Sequence, residues 1–310
     1  MLLKSLGRLG CVGVVIALVI GTSGLVHAQG AGAWVGDPKS LTADLSYHYV
    51  PSSTVVLDPS KSIADRPTSN HVVTLAAEYV PIENLAIDAQ VPFALVKYTG
   101  TAMHMPVGAW DDGSNHATLT DLRVGARYQL LDEPYVALTP HIGVSIPLMN
   151  YQVIGFATGG RHLKQAHFGF DVGRTLNPIL PNLFVMAGYE FTLSESYDVN
   201  VETASINQDR SDIDAQIGYL FLDGDLGVDF AYNWRFQHHG INFDDFGTLS
   251  PLLTQNHDPI LKEQYMFLGG DVSYAINRKI SISGSVRFFL RGYNTRDQSL
   301  YGIDLTWRAL

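Results

Sequence analysis

Some serine, histidine and carboxylate residues stand where they could do chemistry together. His141 and Ser145 share one face of an extended segment, but four residues apart is roughly 13 Å along a strand. They cannot pass a proton without other partners, and a hydrolase needs a Ser beside a His with a third group to orient it. His238, His239, Asp244 and Asp245 crowd one long polar stretch, with His257-Asp258 further along. Such residues could serve a protease or ligate a metal, yet the spacing matches no motif of fixed geometry. There is no Walker pattern, Gly-rich phosphate loop or cysteine pair. The expectation is a protein that is not an enzyme and takes no cofactor or metal.

A second set of ionisable residues is spread along the chain. The acids are Asp44, Glu78, Asp88, Asp121, Asp171, Glu190, Asp214, Asp229, Asp271 and Asp304, and the bases are Arg123, Arg127, Arg235, Arg287, Arg291 and Arg308. Each falls on the polar side of a segment that alternates polar and apolar residues. If those segments enclose a lumen, the charges point into it. They would then form rings that select solutes, or internal ion pairs that brace a narrow barrel, because isolated buried charge is costly. Both readings stand at this level. Arg287 and Arg291 share the period of one strand, and Arg308 can approach Asp44 across the seam between last and first strands. That basic stretch is expected to form a polar constriction or plug, and the excess of acids favours neutral or cationic solutes.

The elements that must position these residues show period two from end to end. Leu41, Ala43, Leu45, Tyr47 and Tyr49 alternate with Thr42, Asp44, Ser46 and His48. Leu226, Val228, Phe230, Tyr232, Trp234 and Phe236 alternate with Gly227, Asp229, Ala231, Asn233 and Arg235. Twelve such segments can be counted, each roughly 9–13 residues long, enough to cross a bilayer at a tilt. Strands of soluble sandwiches are nearer five or six. A soluble β-domain would alternate too, but here Tyr, Phe and Trp gather near strand ends, as in an interfacial girdle.

The connections alternate strictly between short and long. Pro81–Asn84, Leu131–Pro134, Asn177–Asn182, Asp223-Gly224 and Asn277–Lys279 are short and rich in turn formers. Pro51–Ser69, Lys97–His116, Met149–Leu163, Ser194–Ser211, Gln237–Glu263 and the shorter Gly292–Gln298 are the others. Periplasmic turns and longer extracellular loops give this rhythm in outer-membrane barrels.

The N-terminus reads as an export signal. Lys4 and Arg8 precede an apolar run from Leu9 to Ile20, and Val26-His27-Ala28 offers a cleavage site before Gln29. The lone Cys11 would leave with it, so the exported chain has no thiol. That chain keeps 18 basic residues against 30 acids, since the signal takes Lys4 and Arg8 and no acid. Nucleic acid is thereby disfavoured as a partner. Residues 1–28 are expected as signal peptide, 29–39 as a periplasmic lead, and 40–310 as one barrel domain. The last strand ends off register, with Leu310 falling on the polar face.

Thr120-Asp121-Leu122-Arg123-Val124-Gly125-Ala126-Arg127-Tyr128, followed by Gly143-Val144-Ser145-Ile146-Pro147, resembles two consecutive strands of the outer-membrane "transporter" family named for the MetA pathway of phenol degradation. The resemblance implies a transmembrane barrel that passes hydrophobic or aromatic compounds. Together these readings describe an all-β protein, a transmembrane antiparallel up-and-down β-barrel of about twelve strands. It is expected to act in the outer membrane as a channel for small solutes, hydrophobic or aromatic ones among them. The alternatives are a surface-interaction barrel with a sealed lumen and, behind it, an outer-membrane hydrolase. Outer-membrane lipid, lipopolysaccharide and the barrel-assembly machinery are the expected partners.

Overall fold

The computed structural model describes residues 32–100, 110–132, 136–198, 205–248 and 258–309. The signal-peptide segment and its cleavage site lie outside them, as do His257 and Leu310. Twelve long strands form the wall: β1 (Leu41–Ser52), β2 (Thr68–Ile82), β3 (Leu85–Tyr98), β4 (Asp121–Tyr128), β5 (Ala137–Pro147) and β6 (Gln165–Thr175). The second half comprises β7 (Leu183–Ser194), β8 (Arg210–Phe221), β9 (Leu226–Gln237), β10 (Gln264–Ala275), β11 (Ile280–Tyr293) and β12 (Leu300–Arg308).

Every strand pairs antiparallel with its sequence neighbours, and β12 returns to β1 in the register Leu45↔Leu305. The ring is therefore closed, which leaves no edge to template aggregation and satisfies each strand's backbone within hydrocarbon. Pro92 has no N–H to give the ladder, and the partner strand slips by one residue there. A short strand, His116–Leu119, pairs with the upper part of β3, and β4 resumes from Asp121.

Side-chain alternation now has a direction. Leu75 is 62% exposed and Phe230 68% exposed on the outside, whereas Thr74 and Ala231 beside them are buried inside. A wall with an apolar exterior and a polar interior is what a lipid bilayer selects. The long connections are more structured than the sequence suggests. Val55–Asp58 and Lys61–Ile63 form a hairpin that Thr295–Arg296 joins from the last loop. Asp297 ties the two loops together, accepting from the Ser53 amide at 3.0 Å, the Thr54 amide at 2.8 Å and the Ser52 hydroxyl at 2.9 Å.

Candidate permeation lumen

The polar face of the strands encloses a lumen that is crowded with side chains. At its centre Glu190 on β7 gathers three partners. Arg123 on β4 reaches it bidentately, past β5 and β6, while His167 Nδ1 stands 3.1 Å and His141 Nε2 3.4 Å away. His141 in turn meets Asp171 at 3.2 Å. Strand pairing puts Arg123 opposite Ser145 and His167 opposite both Gly143 and Thr192, so the cluster follows from register.

Ser145 therefore does have a histidine, though not His141. Its Oγ lies 2.7 Å from His167 Nε2, with Glu190 on the other ring nitrogen. The order Ser–His–Glu is that of a hydrolase triad, but Ser145 is 6% and His167 1% exposed. The Glu190 carboxylate is also committed to Arg123. Such a fully engaged buried network stiffens a wall.

Along β8–β11 the charges pair within a strand or between neighbouring strands. Asp212 takes Arg235 at 2.5 Å and Arg210 at 3.3 Å. Arg287 grips Asp271 through two bonds of 2.6 and 2.9 Å and donates to Asn233 Oδ1 at 3.1 Å. Asn233 passes the chain of bonds on to Asp214. Asp229 faces Asp271 directly across the strands, and its buried Oδ1 has no partner.

The opposite wall, β1, β2 and β12, is different in kind. Asp44 accepts from Thr306 at 2.5 Å, while Asp304 takes Ser283 at 3.1 Å and His48 at 3.4 Å. Asp44 Oδ2, Ser46 Oγ, His48 Nδ1 and Asn70 Oδ1 are buried without partners. Arg308 was expected to approach Asp44 across this seam, and its charge does act on Asp44, but the two make no ion pair. The register instead sets Thr306 opposite Asp44 and Arg308 opposite Thr42, at the exposed rim.

Arg291 is a second correction. β11 and β10 pair as Phe289↔Phe267 and then Arg291↔Met266, so Leu290 is an extra residue. This bulge turns Arg291 to the outer face with Met266, exposed, its guanidinium 5.5 Å from the Tyr293 ring centre and bonded to that hydroxyl. Periodicity cannot reveal a bulge, which moves every later residue to the other face.

Both ends of the lumen are covered. At the short-turn end, residues 32–39, the described part of the lead, lie across the mouth. Thr139 donates to the Ala33 carbonyl at 2.7 Å, Arg127 to the Gly32 carbonyl at 3.1 Å, and the Val35 amide to Gln129 at 2.7 Å. Arg127 also pairs with Glu78 at 2.5 Å. Since Lys39 bonds Val80 on β2, the lead crosses from one wall to the other. A Cβ on Gly173 would come within 2.6 Å of both Ala33 and Trp34, so glycine there makes room for it.

At the long-loop end, residues 149–163 fold over the mouth. Tyr151 donates to Asp121 at 2.6 Å, and Arg161 bridges Gln208 at 2.7 Å and Glu263 at 2.9 Å. The amides of Phe156 and Ala157 are held by Asp111, and that of Gly155 by Asp258 at 2.7 Å. Gly155 has φ +101, and a Cβ on it would touch Asp111. Gly155, Gly159 and Gly160 are the sequence trace of this tight folding.

The residues suggested for proteolysis or metal binding do not converge. His238 bonds Ser211 at 2.9 Å, and Asp244 pairs with Lys61 at 2.7 Å. Asp245 caps the Asn242 amide at 3.0 Å. Among the described residues, no three His, Cys, Asp or Glu stand together as metal ligands.

Wall, register and polar interior define an outer-membrane-type transmembrane β-barrel of twelve strands. No protein-family model and no curated protein sequence matches the chain. Solved structures do match its fold. An outer membrane channel from Pseudomonas putida F1 superposes with a TM-score of 0.70 at 11% identity, covering 91% of this chain and 99% of that one. The NanC porin superposes with a TM-score of 0.50 at 8% identity, over 86% of this chain and 98% of its own.

Proposed function

We propose that this barrel is an outer-membrane channel for small solutes, neutral or cationic, with hydrophobic and aromatic compounds among them, closed at rest by its lead and its 149–163 loop. The observation that carries this reading is a set of buried lumen polar atoms without hydrogen-bond partners, Asp229 Oδ1 on the side rich in ion pairs and a larger group opposite it. On one side Glu190, Asp212 and Asp271 are matched by Arg123, Arg210, Arg235 and Arg287. On the other, Asp44 takes the Thr306 hydroxyl and Asp304 takes the Ser283 hydroxyl and His48, while Asp44 Oδ2, Ser46 Oγ, His48 Nδ1 and Asn70 Oδ1 are buried without hydrogen-bond partners. A lumen serving only as a braced core would satisfy those atoms, because an unmatched buried polar group costs about 1–3 kcal/mol. A wall that water or a solute wets on opening has reason to keep them.

The described channel and porin with the same fold agree with this reading, as does the resemblance of β4 and β5 to the phenol-pathway transporter family. Export by the N-terminal signal and insertion among lipopolysaccharide by the assembly machinery complete it. Single-channel recording of refolded protein tests it. Discrete openings, more frequent once the lead is displaced and more permeable to cations than anions, are the expected result. Absence of current with the lead displaced would favour the second reading, a sealed interaction barrel, which the two covered ends support.

A further inference from the structure

The inner face of upper β3 departs from the polarity of the rest of the lumen. Ala94, Val96 and Tyr98 point inward at full burial, and Val72 of β2, paired with Ala94, packs beside them. Side chains from elsewhere cover this surface: Trp110, and Ala157 and Phe156 from the loop that closes the mouth, Phe156 being the one that lies on Tyr98. Its ring stacks on Tyr98, with centroids 4.7 Å apart and planes 22° from parallel. The guanidinium carbons of Arg296 and Arg66 lie 5.4 and 5.9 Å from the ring centre.

An apolar latch would need only the aliphatic floor. Here a slot built for a flat ring surrounds Phe156, with a tyrosine to stack on and two cations near its π-cloud, both within cation–π range. Carboxylates offset the guanidiniums of the slot, since Asp258, Asp111 and Glu263 all act on Arg296 and the first two hold the backbone on either side of Phe156. Charge offset in this way gives little pull on an anion or a cation, while electron-rich neutral rings gain from both guanidiniums. The half-buried Phe156 sits on a connection rather than on a barrel strand, tethered by three backbone amides to carboxylates.

We propose that this slot is the recognition site for neutral monocyclic aromatic solutes at the outer mouth, that Phe156 is its resident occupant, and that an incoming ring takes its place and lifts the 149–163 loop. The inference rests on the channel reading and adds to it where a solute is recognised and how the mouth opens.

The test is phenol binding to refolded full-length exported chain by calorimetry, with cyclohexanol as the saturated ring of the same size. Phe156→Ala empties the slot and should tighten phenol binding on the order of tenfold, because the solute no longer competes with a tethered occupant. In that background Arg296→Gln should weaken phenol about threefold to thirtyfold, the range of one cation–π contact, and leave cyclohexanol nearly unchanged. If Phe156→Ala fails to refold, as judged by heat-modifiable gel mobility, Phe156→Leu keeps the apolar bulk without the π-face and should still show a gain. Phenol binding blind to residue 156, or cyclohexanol bound as tightly as phenol in the emptied slot, overturns the proposal. Ion current separates the two claims: current with phenol binding blind to residue 156 removes the slot alone, whereas no current from any variant removes the channel.

Discussion

Arg287 and Arg291 stand four residues apart on β11 and face opposite sides of the barrel wall. The extra residue Leu290 lies between them in the register, so Arg287 grips Asp271 within the lumen while Arg291 rests on Tyr293 outside. Arg287→Ala would leave Asp271 beside Asp229 with no cation between them, and breaking a buried pair costs about 3–5 kcal/mol. Arg291→Ala should stay within about 0.5 kcal/mol. Urea titrations in lipid vesicles compare the two, and equal losses would place both arginines in the lumen after all.

The two faces of β9 answer to different partners. Phe230→Arg puts charge on the lipid face and should cost about 2–4 kcal/mol near the midplane. Asn233→Arg would be mild in a freely hydrated lumen, but Asn233 links Arg287 to Asp214. Its replacement sets two cations together, so Arg287→Ala should relieve the Asn233→Arg defect and leave that of Phe230→Arg unchanged. A double-mutant cycle reads this coupling, and relief at both positions or at neither would refute the assignment.

Gly173 is the position at which the lead can be expelled without touching its own residues. Gly173→Val keeps an extended, β-branched residue in β6 but claims the space of Ala33 and Trp34. Refolded Gly173→Val should pass more current than the parent, and a protease should cut its N-terminal stretch sooner. Unchanged current with a cleavable lead would mean that the lead does not limit flow.

Asp297 supplies a pH-dependent clasp between the first and last long loops. Burial works against its ionisation, but the Ser53 and Thr54 amides and the Ser52 hydroxyl outweigh it and hold its carboxyl below the usual range. A lowered folded pKa means that the clasp is fully present above the ordinary carboxylate value of about 3.9. It is lost only as pH falls through the lowered one. Limited proteolysis of residues 53–66 should therefore be unchanged from pH 8 to pH 5 and rise below about pH 4. Asp297→Asn should show the faster cleavage already at neutral pH, and a parent that opens between pH 7 and pH 5 would contradict the clasp.

Alternation and loop rhythm in the sequence were enough for the barrel itself: twelve strands, apolar side out, short turns at one end. These are local consequences of lipid outside and water inside, repeated at every second residue, so they need no knowledge of which strand meets which. The inward direction of Asp44, Glu78, Glu190 and Arg235 follows from the same period. What each of them touches does not. Glu190 meets Arg123 because closure folds β4 toward β7, Arg291 leaves the lumen because one residue bulges, and Arg308 misses Asp44 by the two-residue stagger of the seam. The lead and the 149–163 loop lack a long alternating pattern, so their places across the mouths of the lumen were decided by tertiary structure alone. There, Gly173 leaves a space for Trp34, and Asp111 and Asp258 hold the backbone around Phe156 where its ring can lie on Tyr98.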